Sequence, residues 1–156
     1  MAHETTPIDA GPLKLDSQLC FALHAASRAF DRVYRRLLID TGLTYPQYLT
    51  MLVLWEHGPM PVKRMGELLR LDFGTLSPLL KRLEAAGLVL RERSRHDERS
   101  VLVSLTPAGE ELRRKAELVP PQISAAVALS AVESAQLLFS VEQLTGRLDL
   151  AATAEL

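Results

Sequence analysis

Apolar residues recur at every third or fourth position over most of the chain, which is the period of helices that bury one face. The first such stretch contains Leu19, Leu23, Ala26, Phe30, Val33 and Leu37. It predicts a long helix that is capped by Asp16 or Ser17 and runs to about Ile39, before Gly42. Its apolar seam would serve a core or a dimer interface equally well.

Capping residues identify three more helix starts. Capping boxes begin at Thr44 and Ser130, and Thr106-Pro107 places a proline in the first turn of another helix. The helix after Thr44 should end near His57, and Pro120-Pro121 should break or kink the helix after Thr106. The last helix carries the apolar stripe Leu137, Leu138, Val141, Leu144 and Leu148. Wide apolar faces near both ends of the chain predict a dimerisation platform.

The middle of the chain changes period twice. Two short amphipathic runs, residues 63–69 and 74–86, are separated by a turn and predict a helix-turn-helix. Residues 88–93 and 100–105 alternate between apolar and polar, and the residues between them are all polar or charged. They predict a β-hairpin with a charged tip, which is a wing.

The predicted fold is mainly α with a small β-hairpin wing: a winged helix-turn-helix with dimerisation helices at both its N- and C-terminal sides. We expect one compact domain. Its predicted parts are a flexible arm (residues 1–14), dimerisation helices (15–57 and 107–156) and a winged helix-turn-helix DNA-binding region (58–106).

The charge of the central region supports DNA as its partner. Residues 60–106 contain nine Lys and Arg against six Asp and Glu, a net charge of +3, whereas the whole chain is −1. A helix that enters the major groove by its N-terminal residues, beside a basic hairpin, is a common way to hold a duplex. We therefore expect a local basic surface to bind double-stranded DNA in spite of the neutral balance overall.

Side chains on the first turns of the second short helix can reach base edges. The candidates are Thr75, Ser77, Lys81 and Arg82. Gly74 and Thr75 could also offer backbone N–H groups to a phosphate. Because a proline inside a helix costs roughly 3 kcal/mol, Pro78 favours a helix start near Gly74 rather than at Asp72.

The tip of the hairpin offers a second set of DNA contacts. Arg95 and Arg99 are basic, Arg99 is the candidate for insertion into the minor groove, and Asp97 would orient it. On composition alone, solvated charges at a hairpin tip are the simpler interpretation.

Several motifs carry a resemblance to a known family. Asp97-Glu98-Arg99 followed by Leu105-Thr106 resembles the D-x-R...L-T wing signature of the MarR family of winged-helix transcription regulators. Four other segments, residues 19–23, 44–48, 54–56 and 74–84, are similar to its organic hydroperoxide-sensing branch, the OhrR type. The resemblance runs from about residue 15 to 118, and it favours DNA contact for the wing residues. It implies a homodimeric repressor on a pseudo-palindromic operator, since a dimer reads two half-sites one helical turn apart.

Cys20 is the chain's single cysteine and lies near the start of the first predicted helix, where the helix dipole favours a thiolate. A polar ridge on the same face continues through His24, Ser27, Asp31 and Tyr34. An inert buried cysteine is the alternative.

The resemblance implies that Cys20 is the peroxide-reactive thiol and that Tyr34 and Tyr45 hydrogen-bond to it. His24 departs from the pattern, since many relatives carry a tyrosine there; a charged imidazole would favour the thiolate, and a neutral one would only hydrogen-bond. Tyr48 is expected to serve packing. A continuous helix separates Cys20 from Tyr34 by about 21 Å. Tyr34 must therefore approach Cys20 of the other chain, as two first helices crossing antiparallel near Ser27 would allow.

These observations predict a repressor that leaves its operator when an organic hydroperoxide oxidises Cys20 to a sulfenic acid. The oxidised sulfur would then be trapped by a low-molecular-weight thiol, by Cys20 of the partner, or by further oxidation. A repressor of this family released by a phenolic or aromatic ligand is the nearest alternative. A thiol peroxidase and a structural chromatin protein are more distant ones, since the chain lacks a thioredoxin-like pattern and a catalytic constellation.

Composition sets the remaining expectations. A chain of 156 residues, 47% of them hydrophobic, can form one domain with a real core. One cysteine excludes an internal disulfide and a Cys-rich zinc site, and we expect no metal, no cofactor and no enzyme activity. The chain has neither a membrane-length apolar run nor a signal peptide, which favours a cytoplasmic protein with no membrane partner.

Overall fold

A computed structural model describes residues 13–97 and 99–154. The predicted arm, residues 1–14, lies outside this range except for Leu13 and Lys14. The described residues form seven α-helices: α1 (Leu19–Leu37), α2 (Tyr45–His57), α3 (Val62–Leu69), α4 (Phe73–Ala85), α5 (Pro107–Ala116), α6 (Val119–Val127) and α7 (Ala131–Thr153). They also form three strands: β1 (Met60–Pro61), β2 (Val89–Arg93) and β3 (Val101–Leu105). Short 3₁₀ turns precede and follow α1.

A helix-turn-helix and a wing occupy the centre of the chain, so the predicted fold class is confirmed. Helices α3 and α4 form the helix-turn-helix, and β2 and β3 pair antiparallel from Val89 opposite Leu105 to Arg93 opposite Val101. The sheet has a third strand that the sequence did not predict. Met60 pairs with Val103, which places β1 on the outer side of β3. A strand of two residues has no period to detect.

One apolar core unites α2, α3, α4 and the sheet. Its most deeply buried side chains include Met51, Leu54, Met65, Leu76, Leu80, Leu83, Val89 and Val103. Burying such a side chain stabilises the fold by about 1.5–3 kcal/mol. We call residues 60–105 the reading head. Every helix and strand of the reading head contributes at least one buried residue to this core.

The first helix begins later than predicted. Gln18 is its N-cap residue, and Asp16 and Ser17 lie in the preceding 3₁₀ turn. The Ser17 hydroxyl donates a hydrogen bond back to the Lys14 carbonyl within the 3₁₀ turn, and no side chain caps α1. The prediction that Asp16 or Ser17 caps the helix is therefore wrong. At its other end α1 stops at Leu37, two residues before the expected end.

Both predicted capping boxes are confirmed. Thr44 and Gln47 exchange hydrogen bonds at the start of α2, and Ser130 and Glu133 do so at the start of α7. The predicted break near Pro120-Pro121 is confirmed as well. Helix α5 ends before it, and the two prolines lie in the first turn of the separate helix α6, where a missing N–H costs nothing.

Membrane-spanning segments were sought among the described helices. No single one is both long and apolar enough to cross a membrane, although Pro107–Val127 and Ala131–Thr153 together meet the length and composition test as a pair bent by 95°.

Helices α1 and α7, which we call the outer helices, differ from the rest of the fold. Neither contains a buried residue. Both expose large apolar side chains, namely Leu19, Phe21, Phe30, Val132, Leu137, Leu138, Phe139, Val141, Leu148 and Leu150. Apolar stripes of this length are unusual on the surface of a monomer.

Candidate nucleic-acid interface and redox site

Asp72 caps the N-terminus of α4, the helix predicted to enter the major groove. Its carboxylate accepts hydrogen bonds from the Thr75 backbone N–H at 2.9 Å and from the Thr75 hydroxyl at 3.0 Å. These bonds to Thr75 hold the pKa of Asp72 below its usual value of 3.8. Helix α4 starts at Phe73, within one residue of the predicted start near Gly74, and Asp72 is its N-cap.

Pro78 lies in the second turn of α4, inside the helix. It removes the hydrogen bond that its N–H would have donated to Gly74, at a cost of roughly 3 kcal/mol. The helix nevertheless buries the four leucines Leu76, Leu79, Leu80 and Leu83. At about 1.5–3 kcal/mol each, their burial outweighs the cost of the proline. Packing and the Asp72 cap together decide where the helix begins.

The capping bonds also change what Thr75 can offer to DNA. Its N–H is already bonded to Asp72, so the expectation that this group binds a phosphate is not met in the free chain. The exposed side chains of Lys81 and Arg82 remain available on the same helix, and Ser77 is half-buried. Gly74 is exposed, and a Cβ there would meet only the Asp72 carboxylate, at 3.1 Å.

The wing tip approaches the start of α4. A cleft of about 800 Å³ separates them, and its lining includes Asp72, Phe73, Asp97 and Arg99. Asp97 accepts a hydrogen bond from the Arg99 backbone N–H at 3.0 Å. This bond fixes the backbone of the turn and does not orient the Arg99 guanidinium. Arg99 and Arg95 are exposed, so both can reach a bound duplex. Glu98, the middle residue of the wing motif, lies outside the described residues.

A pair that sequence reasoning missed joins the wing to α4. The Arg91 guanidinium binds the Glu84 carboxylate through Nη2 at 2.6 Å and Nε at 3.0 Å. Both side chains are partly buried, and the Arg91 hydrogen bonds hold the pKa of Glu84 below its usual 4.5. Arg91 is thus committed within the fold. Seven residues separate the two across a turn, a spacing that carries no signal in the sequence.

The turn between α3 and α4 is built on two unusual positions. Gly66 lies so close to the next turn that a Cβ there would stand 2.9 Å from the Leu71 carbonyl oxygen. Arg70 ends α3 with a positive φ of 56°, and its guanidinium binds the Asp149 carboxylate of α7. This ion pair links the reading head to an outer helix.

The redox candidates divide between two places. Helix α1 is continuous from Leu19 to Leu37, so Cys20 and Tyr34 are separated by about 21 Å within one chain. Cys20, His24, Ser27 and Asp31 are exposed. Within one chain Cys20 and Tyr34 are thus kept apart, as the helix length predicted, and the expected contact is with Tyr34 of a second chain.

The rings of Tyr34 and Tyr45 lie together. Their ring centroids are 4.3 Å apart, and the Tyr48 ring lies 5.9 Å from that of Tyr34. Burial, followed by the neighbouring Tyr45 and Tyr48, raises the pKa of Tyr34 from 10.0 to about 12. Burial also raises the pKa of Tyr45, with Asp31 as a further cause. Tyr48 is buried in the core, in keeping with its expected packing role.

These phenols keep their protons at neutral pH and can donate hydrogen bonds. A neutral donor beside a thiolate stabilises its negative charge. Among the described residues of one chain, no thiolate accepts a hydrogen bond from any of the three phenols.

Comparisons with known proteins place the chain in a family of transcriptional regulators. A family profile described as transcriptional regulator SarA/Rot matches residues 32–116. The chain is 54% identical over 111 residues to the organic hydroperoxide resistance transcriptional regulator of Bacillus subtilis, which covers 71% of this chain and 76% of that protein.

Solved structures give the same result. Reduced AbfR bound to DNA matches with a TM-score of 0.74 and 33% identity, over 90% of this chain and 96% of that one. AbfR, a protein of Staphylococcus epidermidis, has also been solved overoxidised on DNA and with a disulfide formed. The regulator PcaV of Streptomyces coelicolor, solved with its natural ligand, has a TM-score of 0.79 over 88% of this chain and 98% of its own. At 21% identity, PcaV shares the fold alone.

Proposed function

Because this chain belongs to the SarA/Rot family of transcriptional regulators, with their MarR-like winged helix, we propose that it is a homodimeric repressor released from its operator when organic hydroperoxide oxidises Cys20. The resemblance to the hydroperoxide-sensing type is confirmed by the Bacillus subtilis relative. A repressor in contact with operator DNA works in the cytoplasm, and it turns over no substrate.

The observation that carries the proposal is the separation of Cys20 from Tyr34 along one unbroken helix. Neither outer helix buries a residue, and both expose apolar stripes that a second copy would cover. Two α1 helices crossing antiparallel near Ser27 bring Cys20 of each chain to Tyr34 of the other. The sensor is then part of the dimer interface.

The interface supplies the chemistry that the single chain lacks. The protonated Tyr34 phenol, with Tyr45 beside it, donates a hydrogen bond to the Cys20 thiolate. The thiolate attacks the outer peroxide oxygen, the O–O bond breaks, and the products are Cys20 sulfenic acid and an alkoxide, which takes up a proton from water to become the alcohol. Sulfur is oxidised by two electrons and the peroxide is reduced.

The fate of the sulfenic acid follows from the same geometry. In this crossing the two Cys20 residues lie about 21 Å apart, whereas disulfide formation needs Cα atoms about 4.4–6.8 Å apart. A low-molecular-weight thiol or further oxidation is therefore left as the trap; in the first case the thiol's sulfur displaces the hydroxyl as water and leaves a mixed disulfide. The added bulk separates the outer helices and misaligns the two reading heads.

The DNA contacts are assigned to two surfaces of each head. Lys81 and Arg82, with Thr75 and Ser77, face the major groove from α4. Arg95 and Arg99 approach the adjacent minor groove, with the Asp97 turn holding Arg99 at the tip. The two heads of the dimer then read a pseudo-palindrome.

A mobility shift with the promoter beside the protein's own gene tests the redox proposal. Wild-type protein should release this duplex in cumene hydroperoxide and rebind after reduction by a thiol. Cys20→Ser protein should bind equally well and stay bound. If Cys20→Ser protein is released equally fast, the sensing scheme is wrong. Repeated consumption of peroxide without loss of activity would instead indicate a thiol peroxidase, and equal binding to random DNA a structural chromatin protein.

A second candidate, release by a small aromatic ligand, is favoured by one cleft. It lies between α2 and the start of α6, holds about 350 Å³, and is lined partly by Tyr48, Trp55, Arg113 and Pro120. Its aromatic walls suit an aromatic ring, but Glu56 also lines it and Arg113 is paired with Glu117 at 3.4 Å, so a bound carboxylate would have to displace that pair. This candidate predicts release from DNA by an aromatic acid under reducing conditions, in Cys20→Ser protein as well as in wild type.

A further inference from the structure

Phe73 is the most conspicuous side chain at the start of α4 that the DNA assignment leaves unused. It is the first residue of the helix, directly after the Asp72 cap. Its side chain is 70% exposed, although the next apolar residue of the helix, Leu76, is fully buried in the core. A large aromatic ring therefore stands in water at the end of the helix that meets the duplex.

The surroundings of Phe73 are those of a DNA-facing surface. It lines the cleft between α4 and the wing, together with Arg99 of the wing tip. Thr75, Lys81 and Arg82 follow on the same helix and are exposed. The first turn of a recognition helix is the part that reaches base edges in the major groove.

An aromatic ring cannot form the hydrogen bonds by which most base edges are read. The apolar feature of the major groove is the C5-methyl group of thymine, which side chains such as Phe contact directly. Uracil has the same hydrogen-bonding groups without the methyl group. A contact of this kind would be missing from any assignment that counts polar and charged residues alone.

From this placement we infer that Phe73 is a specificity-determining residue that selects thymine by packing on its C5-methyl group in each half-site. This inference rests on the proposed DNA interface and adds to it a base preference. It requires at least one thymine per half-site whose methyl group, rather than its hydrogen-bonding edge, contributes to affinity.

The test uses full-length, reduced protein and a duplex selected by that protein from random DNA. Each thymine is replaced singly by deoxyuridine, and symmetric positions are then replaced together. Burial of one methyl group predicts that binding weakens about fourfold when one half-site loses the contacted methyl group, and about sixteenfold when both do. Phe73→Ala protein should bind the thymine and uracil duplexes equally, and Phe73→Leu should keep part of the preference.

Ile39→Ala provides a matched control, because Ile39 is an apolar residue of similar exposure, 72%, that lies outside the reading head. It should keep the full preference for thymine. Equal binding of all uracil duplexes by wild-type protein, or a preference for thymine that persists in Phe73→Ala protein, would overturn the inference while leaving the DNA interface in place. If the protein selects no duplex at all, the proposed function fails and the inference fails with it.

Discussion

The reading head and the outer helices solve the problem of stability in opposite ways. The head buries residues from each of its helices and strands, and its wing is fixed to α4 by the Arg91–Glu84 pair. Helices α1 and α7 contain no fully buried residue, although Tyr34 and Leu37 of α1 pack partly buried against the core, and α7 is tied to the head by the exposed pair between Arg70 and Asp149. The head is therefore complete within one chain. The outer helices expose apolar faces that the proposed second copy would cover, which is where a redox signal would act on DNA binding.

The largest expected effect comes from a glycine packed against the head. A Cβ at Gly109 would stand 2.1 Å from the Leu88 carbonyl oxygen, and the Gly109 carbonyl already accepts the Trp55 indole N–H at 3.0 Å. Since backbone lies on both sides, Gly109→Ala should destabilise the fold by about 3 kcal/mol or more. Urea denaturation measures this change.

Gly146 in α7 is the matched control, because a Cβ there meets nothing within 4 Å in the single chain. Gly146→Ala should stabilise the helix by about 0.5–1 kcal/mol. A loss instead of a gain would place the second copy directly against residue 146. A neutral Gly109→Ala would contradict the described packing of the head.

The next effect is on assembly. Leu138 is 61% exposed on α7, within the apolar stripe that the proposed dimer covers. Leu138→Lys should weaken dimerisation at least about tenfold, because a charge would have to be desolvated in the interface. Sedimentation at several protein concentrations gives the dissociation constant. An unchanged constant would remove this part of α7 from the interface.

A smaller effect concerns the junction of α4 and the wing at acid pH. Arg91 keeps the pKa of Glu84 below 4.5 in the folded chain, so the folded state binds the proton less well than the unfolded state. The stability from this pair is complete above pH 4.5 and is lost as the pH falls through the lowered pKa. Glu84→Gln should flatten this acid limb in denaturation curves from pH 6 to 3. Arg91→Gln should flatten it equally, and a limb unchanged in both variants would contradict the assignment.

The smallest effect appears only in alkali. The pKa of Tyr34 is raised from 10.0 to about 12, so the folded chain holds this proton more tightly than the unfolded chain. The resulting stability is complete below pH 10 and is lost as the pH rises from about 10 to 12. Tyr34→Phe should remove this loss, as followed by urea midpoints between pH 8 and 12. A wild-type chain whose three tyrosines all ionise near pH 10 would show that the cluster is not buried as described.

The two regions also differ in how far the sequence predicted them. Helical period, capping boxes and alternation predicted the head and most helix bounds, because these signals are local. The sequence did not predict strand β1 or the Arg91–Glu84 pair, because each is formed with a residue that is distant in the sequence or on another element. The start of α4 was predicted to within one residue, although the Asp72 cap did not enter that prediction.

For the redox site, one local fact had a non-local consequence. The length of α1 followed from its apolar period, and that length alone separates Cys20 from Tyr34. Periodicity could not predict whether the apolar face of α1 packs against its own chain or against a second chain, because the same spacing of apolar residues serves a core and a dimer interface equally well. The exposure of Leu19, Phe21 and Phe30 in the single chain is what favours the dimer.

Cross-linking between residues 20 and 34 tests the central claim most directly. A Tyr34→Cys chain retains Cys20, so a short bis-maleimide can join the two positions only across the interface. The account predicts a covalent dimer from this variant in high yield, and little from wild type, whose two Cys20 residues should lie about 21 Å apart. Failure of Tyr34→Cys protein to cross-link, or equal cross-linking of wild type, would contradict it.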